Sequence, residues 1–169
     1  SGVVAGAGSN VVSLRDAVSG SFLTERKDGS LGFEENDLDA AIPHYERAVA
    51  LEGVDGKNYD KGLYKLAWSH YKKSNYEEAL NLLNTLMDYS ENVYLTTGQE
   101  SAMAKEAVEY TAISFSDQAD MSGEFPVDVA AVFYAQVGDR PFESRVYKRL
   151  ADVLIQQSRY EDAIATYEF

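Results

Sequence analysis

The chain has 169 residues and carries 28 Asp and Glu against 15 Lys and Arg, which gives a formal net charge of −13. That acidity argues against a nucleic-acid partner, because neutralising phosphates takes a surplus of Lys and Arg, and against docking on an anionic membrane surface. Hydrophobic residues make up 45% of the chain and cysteine is absent, so we expect a buried core without disulfides or thiol chemistry.

The N-terminal segment, residues 1–33, is rich in Gly, Ser, Val and Ala and shows little periodicity. We expect an irregular extension or cap there, extended or with at most a short helix over 11–23, followed by a turn at RKDGSLG. The opening SGVVAGAGSN lacks a basic region and a long apolar segment, so it is not an intact signal peptide. Because RYEDAIATYEF carries no helix stop signal, we expect the chain to be a fragment of a longer protein.

From residue 34 onward, apolar positions recur at spacings of three and four, which is typical of amphipathic helices. No stretch reaches the ~18 consecutive apolar residues of a membrane helix, and no useful period-two segment is present, so the predicted fold is all-α without membrane insertion. The pattern predicts helices at 38–53, 61–74, 75–90, 100–119, 126–138, 141–158 and 159–169, with a loop at 120–125.

Two parts of this helical region repeat one another. Leu66-Ala67 matches Leu150-Ala151, and SNYEEA at 74–79 matches SRYEDA at 158–163. Each copy joins a helix carrying a Leu and a small residue to a turn, an aromatic residue, two acidic residues and an alanine. The combination resembles the tetratricopeptide repeat, a family of antiparallel helix pairs about 34 residues long.

The resemblance implies an all-α, right-handed superhelical solenoid of about three to four helix pairs. In each pair Ala79 or Ala163 is expected at the closest crossing of helices A and B, and Tyr76 and Tyr160 are expected in the core. Weaker copies place Ala41, Tyr45 and Ala48 in a lone helix B, and Ala112 and Ala130 in a further pair. The expected array covers 34–169, divided into a partial repeat (34–56), a repeat (57–93), a repeat with a long A–B loop around 116–124 (100–141) and a truncated repeat (142–169).

In this family helix A lines the concave surface, so the resemblance implies a groove that binds a protein or peptide partner. Aromatic and basic residues on the predicted helices A would face it, although the aromatic ones could instead pack on the neighbouring helix A. A clamp for a terminal carboxylate is not expected, since Tyr64 and Trp68 replace its Lys and Asn. The predicted groove comprises Lys61, Tyr64, Lys65, Trp68, Tyr71, Lys72, Glu109, Arg145, Lys148 and Arg149.

Catalytic chemistry finds no support in the sequence. His44 and His70 lie in helical patterns as packing residues, and no nucleotide, zinc-protease or nucleophile motif occurs, so neither a cofactor nor a metal is expected. We therefore expect a non-catalytic scaffold, with a self-associating assembly module or the regulatory domain of a larger enzyme as alternatives. The repeat style is similar to that of large bacterial repeat proteins, which favours the periplasm or cell envelope over the cytoplasm.

Overall fold

The structure, a computed structural model, describes residues 37–169 and the backbone of four strands before them. Two antiparallel hairpins are formed, one by β1 (Val3–Gly6) with β2 (Ser9–Val12) and the other by β3 (Leu23–Glu25) with β4 (Leu31–Phe33). In the backbone register of the first hairpin, Val3 pairs with Val12 and Val4 with Val11, which suits the preference of β-branched residues for strands.

The periodicity had not predicted these strands, because runs of three or four residues are too short for alternation to register. The short helix expected over 11–23 overlaps the end of β2 and the start of β3. Its remaining residues, 13–22, lie outside the described part of the chain, as does most of the turn expected at RKDGSLG.

Seven α-helices follow between residues 37 and 169, and successive helices pack as neighbours joined by short connections. Helix α4 packs against both α2 and α6, so the first helices of consecutive pairs lie side by side. The predicted all-α solenoid of helix pairs is thereby confirmed. The helices are α1 (Leu38–Glu52), α2 (Tyr59–Lys72), α3 (Tyr76–Thr97), α4 (Ala104–Ser122), α5 (Pro126–Val137), α6 (Glu143–Gln156) and α7 (Tyr160–Glu168).

Small residues sit where paired helices approach each other. Ala67 on α2 and Ala79 on α3 are both 0% exposed, and Ala151 and Ala163 repeat this arrangement in the pair formed by α6 and α7. The predicted burial of Ala79 and Ala163 is confirmed. A larger side chain at these points would hold the helices apart, so the alanines set how closely each pair packs.

Helices α3 and α4 are both longer than predicted. Helix α3 continues to Thr97 and ends at Gly98, whose φ of 74° is left-handed. Helix α4 continues to Ser122 and ends at Gly123, again left-handed, so only residues 123–125 connect it to α5. The long A–B loop predicted around 116–124 is wrong, because the additional residues lengthen helix α4 instead.

The turns inside the two strongest repeats share an unusual backbone. Ser74 and Ser158 each adopt a φ of 60°, the left-handed conformation that favours glycine. The following amides, of Asn75 and Arg159, donate back to the carbonyls of His70 and Leu154 at 2.9 and 2.8 Å. These bonds are the 6→1 contacts of a Schellman motif, which satisfies carbonyl groups at the end of helix A.

Replacing Ser74 with glycine is expected to stabilise the protein by about 0.5–1 kcal/mol, because glycine adopts positive φ without steric cost, partly offset by its greater freedom when unfolded. Ser74→Val is expected to destabilise it, since a β-branched residue is strained there. Urea denaturation followed by circular dichroism measures both changes. Equal stability of the two variants would contradict the left-handed turn.

Candidate partner-binding site

One face of helix α2 is lined by three lysines and the single tryptophan of the chain. Their spacing of three and four residues puts them on one side of the helix, away from buried Leu63 and Ala67. We call the four residues the inner stripe: Lys61, Lys65, Trp68 and Lys72.

Trp68 is half-buried and lies between two ammonium groups of the inner stripe. The Nζ atoms of Lys65 and Lys72 are 5.9 and 5.5 Å from its ring centroid, which is within cation–π range. Neither these two lysines nor Lys61 forms an ion pair within residues 37–169. The stripe therefore combines an aromatic surface with positive charge that the described protein leaves uncompensated.

Tyr64 and Tyr71 differ from Trp68, because both pack against the neighbouring helix α4. Their rings lie 5.8 and 5.3 Å from the ring of Tyr110, in edge-to-face arrangements, and the Tyr71 hydroxyl donates to Asp117 Oδ2 at 2.7 Å. Burial, followed by the proximity of Tyr110, raises the pKa of Tyr64 to about 12. Burial and the bond to Asp117 also raise the pKa of Tyr71. These two tyrosines join adjacent repeats. This is the alternative in which the aromatic residues of one helix A pack on the neighbouring helix A.

The arginines of the predicted groove are already paired with carboxylates. Arg149 on α6 holds Glu109 on α4 through two hydrogen bonds, the Nη2–Oε1 bond being 2.8 Å long, and the bond to Glu109 raises the pKa of Arg149. Arg145 is paired with Glu91 and Glu100. The structure therefore does not place Glu109, Arg145 and Arg149 as free charges in the groove.

Two further positions differ from the sequence analysis. Lys148 is exposed on α6, at the repeat position that Tyr64 holds on α2, but the described residues contain no further helix A after α6 that could receive it as α4 receives Tyr64. Tyr160, expected in the core, is 60% exposed, whereas its counterpart Tyr76 is half-buried with its ring 6.0 Å from that of Tyr71. Tyr160 lacks an equivalent neighbour, so its expected core placement is wrong.

The histidines have packing roles. His44 is buried on α1 with its Nδ1 2.7 Å from Arg47 Nη2, and burial, followed by the Arg47 charge, lowers its pKa. His70 is partly buried on α2. Among the residues that the structure describes, no three His, Asp or Glu side chains converge in a way that could hold a metal ion.

Comparison with known families agrees with this geometry. The family described as "Tetratricopeptide repeat" matches residues 29–88, which include α1, α2 and the first half of α3. The match identifies a tetratricopeptide repeat within residues 29–88. Tetratricopeptide repeats are generally protein–protein interaction modules and non-catalytic scaffolds. No curated protein matches the chain at significant similarity.

By the order of the helices and their side-by-side packing, α2, α4 and α6 hold the positions of helices A. Sequence reasoning missed Tyr110 and Asp117 of α4, which receive the two tyrosines of α2. Glu106, one turn before Tyr110, has a buried Oε2 without a hydrogen-bond partner in the described residues. The alternative that the aromatic residues of α2 pack on the neighbouring helix A predicted the contact of these tyrosines, but not the residues of α4 that form it.

Proposed function

We propose that this tetratricopeptide repeat array is a scaffold that binds an acidic, extended segment of a partner protein along the inner stripe. The supporting observation is Trp68, whose half-buried ring lies between the uncompensated ammonium groups of Lys65 and Lys72. Large aromatic side chains beside cations are frequent anchors of protein interfaces, because the ring supplies contact area and the charges select the partner.

The set of binding residues in this proposal is smaller than the predicted groove. Tyr64 and Tyr71 are excluded because their rings pack on α4. Arg145 and Arg149 are excluded because carboxylates already pair with them. Binding therefore rests on Lys61, Lys65, Trp68 and Lys72. Carboxylates of a bound segment would replace water around the lysines, and an apolar or aromatic side chain would cover Trp68.

Changing Trp68 to alanine is expected to raise the Kd for such a segment at least tenfold, roughly the effect of losing one interface anchor. Peptides selected from a random display library against the wild-type array serve as the probe, and calorimetry near 0.15 M salt measures the Kd. We expect the selected sequences to be enriched in Asp and Glu. In the wild type, their binding should shift the emission of Trp68, which is the only tryptophan.

A matched pair of charge reversals serves as the control. Lys65→Glu with Lys72→Glu should abolish binding, whereas Lys57→Glu with Lys105→Glu changes the net charge equally at exposed positions outside the inner stripe. If both double variants bind the selected peptides alike, or if binding leaves the Trp68 emission unchanged, the inner stripe is not the site.

The remaining parts of the proposal concern the parent protein. We place the array in a larger bacterial protein or complex, in the periplasm or cell envelope, on the similarity of repeat style alone. Among the described helices, none is both long and apolar enough to cross a membrane. Fractionation of cells expressing the tagged full-length protein tests the compartment.

Self-association is the second candidate function, and the exposed apolar side chains of α7 favour it. Ile164 and Tyr167 on α7 are each 57% exposed, and the adjoining Phe169 is 72% exposed although its ring contacts Tyr147 of α6. Two copies could stack through this end of the array. Size-exclusion chromatography with light scattering distinguishes the candidates, since only self-association predicts a mass that rises with concentration.

A further inference from the structure

A cleft of about 240 Å³ opens between helices α3 and α5, beside the C-terminal turns of α4. Its floor is apolar and is formed by Leu80, Val129 and Phe133, which are 2%, 7% and 9% exposed. Its polar lining includes the exposed carboxylates of Glu77 and Glu124. The cleft exists because α4 extends to Ser122, beyond the turn that joins α2 to α3.

One of the residues that line this cleft carries an unsatisfied acceptor. The Oε1 atom of Gln118 is buried and receives no hydrogen bond from any described residue. Gln118 also lines an adjoining recess of about 350 Å³, which shares Glu77 with the cleft. A buried carbonyl oxygen without a donor is unfavourable, so a ligand that supplies N–H groups would gain a bond that the free protein lacks.

The local field favours a cation. Gln118 belongs to the last turns of α4, where the helix dipole presents partial negative charge, and the carboxylates of Glu77 and Glu124 add to it. The net charge of −13 attracts cations from a distance. The nearby Arg159 is held by Asp120 and Asp162, and it is not among the residues that line the cleft.

We propose that this cleft binds a lysine or arginine side chain of a partner protein. The aliphatic stem lies on Phe133 and Val129, while the charged head group contacts Glu77 and Glu124. The side-chain amide of Gln118 turns toward the head group and accepts a hydrogen bond from it. An anionic side chain would be repelled, and an apolar one would leave the three acceptors unpaired. The cleft is acidic and lies between α3 and α5, whereas the inner stripe is basic and lies on α2. The two sites would therefore select partner groups of opposite charge.

End-blocked tetralysine and tetra-arginine peptides are the probes, titrated into the full ¹⁵N-labelled chain near 0.15 M salt. We expect the side-chain amide signal of Gln118 to shift with saturation by at least one peptide, while the Trp68 emission stays constant. The relative Kd of the two peptides tells which head group fits better. If the Gln118 signal does not move with either peptide, the proposal is overturned, whatever the outcome for the inner stripe.

A matched pair of variants distinguishes binding in the cleft from the general attraction of cationic peptides to an acidic protein. Glu77→Gln is expected to raise the Kd about three- to tenfold, the scale of one partly exposed charge-assisted bond. Glu161→Gln removes the same charge at the equivalent position of α7, away from the cleft, and should leave the Kd unchanged. Glu124→Gln, in the loop after α4, should reproduce the Glu77 effect without altering a helix. Equal weakening by Glu77→Gln and Glu161→Gln would show non-specific attraction and overturn the proposal.

Discussion

Replacing Phe115 with alanine is expected to lower the free energy of unfolding by about 3–5 kcal/mol, as for other fully buried aromatic side chains. Phe115 is 0% exposed on α4, and its ring lies 5.6 Å from that of Phe133 and 6.0 Å from that of Tyr134. The change would therefore empty the contact between α4 and α5 at the middle of the array. Urea denaturation monitored by circular dichroism measures the loss.

Phe125 is the matched control for this prediction, because it is the same residue type with 63% of its surface exposed. Phe125→Ala should change stability by no more than about 0.5 kcal/mol, as is usual for surface substitutions. A loss below about 1 kcal/mol for Phe115→Ala would mean that the α4–α5 contact is not a packed core.

Enlarging Ala79 to leucine is expected to cost about 1–3 kcal/mol, because the added carbons must fit where α2 and α3 cross. Ala79 is 0% exposed, and Ala163 at the equivalent crossing of α6 and α7 is 2% exposed, so Ala163→Leu should behave alike. Thermal melts followed by circular dichroism measure both. Exposed Ala165 is the control, and an Ala79→Leu protein as stable as Ala165→Leu would contradict the close crossing.

The sequence was most informative where packing depends on neighbours along the chain. The resemblance to the tetratricopeptide repeat, carried by short stretches of sequence, implies the alanines at the crossings, the Leu-Ala pairs and the turns at Ser74 and Ser158, and the structure places them as expected. Helix ends were less predictable. The polar segment before Gly123 was interpreted as a loop, since Asp, Ser and Gly are turn formers, yet these residues complete α4 on its exposed side.

The proposed binding face was only partly predictable, because its electrostatics depend on residues distant in sequence. Arg149 meets Glu109, and Arg145 meets Glu91 and Glu100, only after α6 has packed beside α4. No spacing rule within one helix reveals such pairs. The inner stripe was identifiable because its members all belong to α2, where a three- and four-residue spacing determines the shared face.

The side-by-side packing of α2, α4 and α6 also determines how long an extended segment must be to reach from the first of these helices to the last. Helices in contact are about 8–10 Å apart, so the axes of α2 and α6 are separated by roughly 16–20 Å. An extended chain advances about 3.3 Å per residue, so about five or six residues would span the distance from α2 to α6. In the proposed binding mode, a shorter segment would touch only the cationic face of α2. A longer one would also reach α6, where Arg149 is paired with Glu109 and Lys148 is exposed.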